Sequence, residues 1–365
     1  MNKRLRILVA ISLMGITGSA YALAPPVIDT EAMAMGGAGV SSATDNLGNV
    51  NPALVGSASR SDGEFFMTPT LYYADYNVND FSNRLDSFKN DPNAQSLRSL
   101  DDSGIYYNWG AAFGVILHGH LATSTVYLNS YSQSYSKLRL VESDLPLPSG
   151  GSGYDSIIET VGISIVEAGV SYTSSTSFRF AGLGDVKWGV TGKMLTGVVH
   201  QIEQPVETAS VNGFSTEGIT SQGVTFDVGF LKEWGRDWAA GIALKNIYPV
   251  KLSLADGDSY RYGPHARVGV TRIGYRHRIA VDVDLLKSKA LGIYGSTQMV
   301  SLGVDYDIGG YLKLRAGVNY DLQGTLYETY SGGVSINSQY FQITLALIGH
   351  SGSINGLGIQ STIGF

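Results

Sequence analysis

The chain closes with the stretch NGLGIQSTIGF, Asn355 to Phe365. Leu357, Ile359, Ile363 and Phe365 fall on one face of an extended strand, and Gly358, Gln360, Thr362 and Gly364 on the other. Successive strand side chains alternate between faces, so this segment is apolar on one side and small or polar on the other. A soluble domain would have to set a terminal carboxylate beside a buried apolar strand. A membrane-spanning β-barrel has a use for the pattern, with the apolar face toward lipid and the small face toward the lumen.

The same alternation runs through the rest of the chain. Val224, Phe226, Val228 and Phe230 alternate with Thr225, Asp227 and Gly229, and Leu312, Leu314, Ala316 and Val318 with Lys313, Arg315, Gly317 and Asn319. Ile279, Val281, Val283 and Leu285 follow the same rule, as do Phe341, Ile343, Leu345 and Leu347. The face opposite the apolar one is mostly Gly, Ser, Thr and Ala with isolated charges, which suits a lumen better than a Lys/Glu-coated exterior. The fold expected is all-β, a transmembrane antiparallel β-barrel of about 14 strands, each near the 9–11 residues a tilted spanning strand needs. The spans are 64–77, 105–118, 120–139, 158–175, 185–201, 221–233, 238–252, 264–273, 276–287, 297–307, 311–321, 328–337, 339–349 and 355–365. Long links (78–104, 140–157, 202–220, 253–263) alternate with short ones, and 176–184 is intermediate. In bacterial barrels the short turns are periplasmic, so an even strand count places both termini there.

Composition agrees. Charged residues are 15%, against about a quarter in soluble domains. Glycine, at 46, and Tyr, at 22 against 16 Phe plus Trp, suit a barrel with aromatic girdles. There is no cysteine, which excludes disulfides, thiol redox chemistry and a Cys-based zinc site. A net charge of −6 argues against nucleic acid as a partner. At the other end of the chain, Lys3, Arg4 and Arg6 precede the apolar run Ile7 to Ile16 and an A-x-A site at Ala20-Tyr21-Ala22. That is a secretory signal peptide, residues 1–22, too short to span a membrane. The barrel is expected over 64–365 and a plug segment over 23–63. The destination is the outer membrane of a Gram-negative bacterium, and the terminal Phe365 resembles the signal read by the barrel-assembly machinery there.

Residues 31–54, EAMAMGGAGVSSATDNLGNVNPAL, precede the first strand. Gly36, Gly37 and Gly39 allow sharp bends and close approach, and Pro52 pushes Asn51 toward an extended conformation. A barrel of about 14 strands is wider than its own side chains fill, since filling works only near eight. The segment is therefore read as a plug. It resembles the N-terminal hatch of the FadL-type family, with Asn51, Pro52 and Ala53 matching an NPA signature. IVEAGVSYTS (165–174), WGVTGKMLTG (188–197), FDVGFLKEWGRDWAAGIALKNIYP (226–249), YRYGPHARVGV (260–270) and VSLGVDYDIGGYLKLRAGVNYDLQGT (300–325) resemble the branch labelled conjugal transfer protein TraF. The resemblance implies a plugged barrel and uptake of hydrophobic small molecules. The alternative it implies is an accessory role among the proteins of an envelope transfer machine, and a general porin is the third reading. A thioredoxin-like periplasmic factor sharing the label needs a cysteine pair, which this chain lacks.

Glu167, Lys187, Lys193, Asp227, Lys245, Arg267, Asp282, Asp284, Asp305, Lys313 and Arg315 all lie on the polar faces of their strands and are the lumen-facing candidates. They read as a ladder of opposite charges bracing wall and plug, or as a lining that tunes permeation. In the first long link Phe81, Leu85 and Phe88 recur at helical spacing before Asp91-Pro92, reading as a helix over the barrel mouth or as a greasy entry site. No G-x-S-x-G elbow or phosphate loop occurs, and His118 and His120 lack a third ligand. Neither enzymatic activity nor a cofactor or metal is expected.

Overall fold

The computed structural model describes residues 29–42, 48–55, 65–67, 69–119, 122–145, 153–174, 177–180, 184–210, 218–254, 259–289, 295–338 and 340–364. The signal segment with Ala20 and Ala22, His120 and Phe365 lie outside them. Fourteen antiparallel strands close into a barrel. They are β1 (Phe65–Met67, resumed at Thr70–Tyr76), β2 (Gly104–His118), β3 (Ala122–Arg139), β4 (Ile157–Ser174), β5 (Gly184–Pro205), β6 (Ile219–Trp234) and β7 (Trp238–Lys245). The second half is β8 (His265–Ile273), β9 (His277–Asp284), β10 (Met299–Ile308), β11 (Leu312–Asp321), β12 (Thr329–Asn337), β13 (Phe341–His350) and β14 (Ser353–Gly364). Each pairs with the next. The seam between β14 and β1 sets Leu357 opposite Tyr73 and Ile359 opposite Leu71. Leu357 is 52% exposed, while Gln360 on the other face is buried.

The outward face carries a continuous apolar band, including Val126, Leu128, Val166, Val170, Met194, Phe226, Val281, Leu302 and Leu345. Tyr and Trp fringe it at both edges: Trp234, Trp238, Tyr311 and Tyr340 at one, Tyr73, Trp109, Tyr320 and Tyr330 at the other. A water-exposed surface would not hold so much contiguous apolar area, whereas a lipid-facing wall requires it. The band does not run the full height. On β3 it gives way beyond Leu128 to Ser130, Ser132, Ser134 and Ser136, and Ser132 and Ser136 hydrogen-bond to Ser164 (3.0 Å) and Thr160 (2.8 Å) of β4. β3 and β4 thus carry a polar wall past the band.

One end of the barrel holds the links 77–103, 140–156, 206–218, 246–264, 285–298, 322–328 and 351–352, and the other holds short turns, with 175–183 the longest. The turn between β10 and β11 uses Gly309 and Gly310 at φ 69° and 82°, a conformation other residues resist. Ahead of the barrel lies a short helix, α1 (Thr30–Ala34), and in the first long link the helical spacing resolves into two helices, α2 (Val78–Asn90) and α3 (Ala94–Asp101). Phe81, Leu85 and Phe88 turn inward onto Leu97, Leu100, Leu138, Tyr154 and Ile158. They are fully buried and offer no greasy surface to an incoming molecule.

The span 238–252 differs from its sequence reading. The strand stops at Lys245, because Asn246 takes a left-handed conformation (φ 53°) and its N–H donates to Asp227 Oδ1 at 2.7 Å. The chain then turns into the lumen, where Val250–Ser253 pairs with Ser259–Tyr262 as a separate hairpin. What the alternation presented as a continued wall strand is an internal element.

Candidate functional site

The plug is built from short-range caps and long-range anchors. Asp29 accepts the Ala32 N–H at 2.7 Å and starts the helix α1 (Thr30–Ala34). Asn51 is extended (φ −147°), caps the turn Pro52–Leu54 by accepting from Ala53 N, and donates through Nδ2 to Val40 O at 2.7 Å and to Phe230 O at 3.3 Å. The NPA residues thereby tie two parts of the plug to each other and to β6. Pro52 O accepts from the Thr173 hydroxyl of β4. Gly36 N donates to Ser331 Oγ at 2.8 Å, and Gly39 N and Val40 N both donate to Asp282 Oδ2, at 2.7 and 2.9 Å.

The wall meets the plug through glycines. Gly189 pairs with Gly229, Gly241 with Gly269 and Gly303 with Gly317 across adjacent strands, and Ala346 sits between Gly333 and Gly358. A Cβ on Gly229 would lie 1.9 Å from Asn51 Oδ1, one on Gly189 2.2 Å from Pro52 O, and one on Gly317 2.1 Å from the carbonyl carbon of Met35. Side chains there would expel the plug. The sequence reading missed this belt. Its signal was the recurrence of glycine on the inward face at mid-strand, where glycine normally weakens a strand.

The predicted inward charges fall into four groups. Asp282, Lys245 and Arg315 hold the plug: Lys245 Nζ reaches Asn49 O at 2.6 Å, and Arg315 reaches Glu31 at 2.8 Å and Asp305 at 2.9 Å. Arg278, which the sequence reading did not single out, also pairs with Asp305 at 3.0 Å, and Lys313 lies half-buried beside them opposite Asp307. Glu167, Lys193 and Asp227 form a buried cluster, with Lys193 Nζ 3.4 Å from Glu167 and 2.9 Å from Asp227. Tyr131 and Tyr262 both donate to Glu167 at 3.2 Å and contact each other through their hydroxyls. Arg267 stands between Asp282 (3.8 Å) and Asp284 (3.6 Å), and His265 Nε2 lies 3.1 Å from Asp284. Lys187 remains at the short-turn rim, paired with Glu233 at 3.0 Å and half exposed. His118 ends β2 beside Thr123 (3.1 Å), and among the described residues no group of side chains is arranged to hold a metal ion.

Above the plug, toward the long-link end, lies a cavity of about 180 Å3. Met33, Gly36 and Gly37 of the plug floor it. Tyr106, Tyr135, Tyr327, Met299 and Ile348 supply apolar wall, and Asn108, Gln133, Asn319 and Ser331 supply hydrogen-bonding groups. The sequence reading named none of the aromatic wall, since these tyrosines meet only when the barrel closes.

The sequence profile of the family described as "F plasmid transfer operon, TraF, protein" matches residues 49–284. The chain belongs to this family. No curated protein matches the chain in sequence. Solved structures share the fold of this TraF-family barrel at low identity. The CymD monoaromatic hydrocarbon channel is 12% identical with a TM-score of 0.58, covering 94% of this chain and 99% of its own. The Ralstonia pickettii toluene transporter TbuX is 11% identical at 0.58, covering 94% and 97%. The Pseudomonas putida toluene transporter TodX is 11% identical at 0.55, covering 94% and 98%.

Proposed function

We propose that this TraF-family barrel resides in the outer membrane of a Gram-negative cell and passes small hydrophobic molecules across it. The observation that carries the reading is the cavity itself: an aromatic-walled space inside a lipid-facing barrel, closed below by a plug held to the wall by hydrogen bonds and ion pairs. Its fold relatives are described as toluene transporters and monoaromatic hydrocarbon channels, which supports the substrate class. In this orientation the short turns and both termini face the periplasm, the leader is removed after Ala22, and the terminal strand is delivered through the assembly machinery. A solute enters from the long-link end, rests in the cavity, and leaves when the plug shifts or through the wall into lipid. The test is toluene uptake by outer-membrane vesicles carrying the full protein or a variant lacking residues 31–54. Uptake that depends on the barrel and changes with the plug supports the reading. Unchanged uptake with a folded barrel removes the plug from the mechanism, and no barrel-dependent uptake overturns it.

The family's description favours a second reading, an accessory part of an envelope transfer apparatus. A stoichiometric envelope partner recovered with the barrel from native membranes, with no bound lipophile, would favour it over transport.

A further inference from the structure

The hairpin Val250–Ser253 and Ser259–Tyr262 serves neither as wall nor as plug. Leu252 and Tyr262 are 0% and 1% exposed, while the paired Lys251 and Arg261 are exposed, so the hairpin is amphipathic and lays its apolar face against the wall. The wall is cut to receive it. A Cβ on Gly223 would lie 2.6 Å from Val250 Cγ1, and the Cβ of any residue at 197 would meet Leu252 Cδ2 at 2.7 Å. Tyr262 is pinned at the base through Glu167 and Tyr131. The hairpin therefore fills lumen space beside β5 and β6, with Tyr262 reaching across to β3 and β4.

The cavity lies next to it, and the two share one apolar cluster. Tyr106, Tyr135, Met33 and Ile348 line the cavity on one side and pack in the same apolar cluster as Leu252 and Tyr262 on the other. Tyr106 and Tyr135 stand with ring centroids 6.3 Å apart. An apolar cavity of about 150 Å3 holds one benzene molecule, so the space left here matches a single ring. Arg267, the cation at its wall, already faces Asp282 and Asp284, so the cavity offers no uncompensated positive charge to an anion.

We infer that the inward hairpin is the size filter of this barrel: by filling lumen space beside the cavity, in the same apolar cluster as Tyr106 and Tyr135, it limits the bound solute to a small neutral molecule of about one ring. The inference deepens the transport reading and rests on the same cavity, but binding and uptake are read separately. The full-length protein would be produced in detergent with fluorotyrosine, and the Tyr106 resonance assigned with Tyr106→Phe. Toluene and naphthalene would then be titrated while that signal is followed, because partition into micelles does not move it. Two variants displace the filter differently: one replaces residues 251–261 with a short Gly/Ser link, and Gly197→Leu fills the seat of Leu252 while leaving the chain length unchanged. Folding is checked by the mobility difference between unheated and boiled samples, and Gly197→Leu carries the test should the shortened chain not fold.

The native protein is expected to bind toluene at least about tenfold more tightly than naphthalene, a difference near 1.4 kcal/mol, and the variants to bring the two within about twofold of each other. Equal binding of both by the native protein, retained discrimination in a folded variant, or no response to either ligand overturns the filter. Toluene uptake into vesicles, measured beside it, reports on transport alone. Intact discrimination without uptake sinks the transport reading and leaves the filter standing.

Discussion

Glu31 of the plug and Arg315 of β11 form an ion pair at 2.8 Å inside the barrel, with side chains 2% and 0% exposed. Arg315 also holds Asp305, which Arg278 shares, and Gln342 contacts Glu31. The plug is thus bound into a charge network spanning β9 to β13. A buried pair contributes little over an apolar substitute, but losing one member strands the other charge.

The members are unequal. Replacing Arg315 by Ala removes the ion-paired cation of Glu31, leaving it Gln342 and the half-buried Lys313 nearby, and is expected to cost about 3–5 kcal/mol. Glu31→Gln leaves Arg315 with Asp305 and should cost clearly less. Urea unfolding in lipid vesicles checks the order; equal losses would show that the pair acts only locally.

Gly317→Leu would place its Cβ within 2.1 Å of the Met35 carbonyl carbon, so the plug must move. Overpacking of this kind costs about 1–3 kcal/mol. The expected result is a barrel that still assembles but whose plug is cut by proteinase K. Gly192→Ala, facing lipid with only Phe226 nearby at 3.8 Å, is the neutral control.

Asn51→Ala removes the bonds to Val40 O, Phe230 O and Ala53 N and leaves buried backbone groups unpaired. A loss of about 1–3 kcal/mol is expected, seen as faster plug proteolysis with unchanged barrel content by circular dichroism. Asn51→Asp keeps the cap to Ala53 but sets a buried carboxylate oxygen against Val40 O and Phe230 O, and should destabilise the plug more than Asn51→Ala does.

The position of the lipid band is testable along the outer wall. Leu302→Lys, mid-strand in β10, is expected to cost about 2–4 kcal/mol and reduce the folded fraction. Ser132→Lys, on the polar wall above the band, should assemble as the native chain does. Equal assembly of both would place the band elsewhere.

The relation between sequence and fold is uneven along the chain. Leu357 and Ile359 announced an outward face because alternation is local, and closure only had to bring them opposite Tyr73 and Leu71. The segment 246–252 reads as wall, since Val250 and Leu252 alternate as wall residues do; the counter-signal is the Asp256-Gly257 pair, a turn dipeptide in the link that follows. The candidate charges were legible as one inward set, but not which of them would hold plug, hairpin or cavity.

By itself the sequence determined the class of fold, the facing of each strand and the presence of a Gly-rich segment ahead of them. Those properties repeat every two residues, or sit within one short stretch, and need no distant partner to be read. Only the tertiary structure decided that Gly189, Gly229 and Gly317 are seats for the plug, that Val250–Ser253 and Ser259–Tyr262 pair inside the barrel, and that Tyr106, Tyr135 and Tyr327 bound one cavity. Those facts arise across the lumen, between residues brought together when β14 meets β1 and excluded volume inside the closed wall selects what fits.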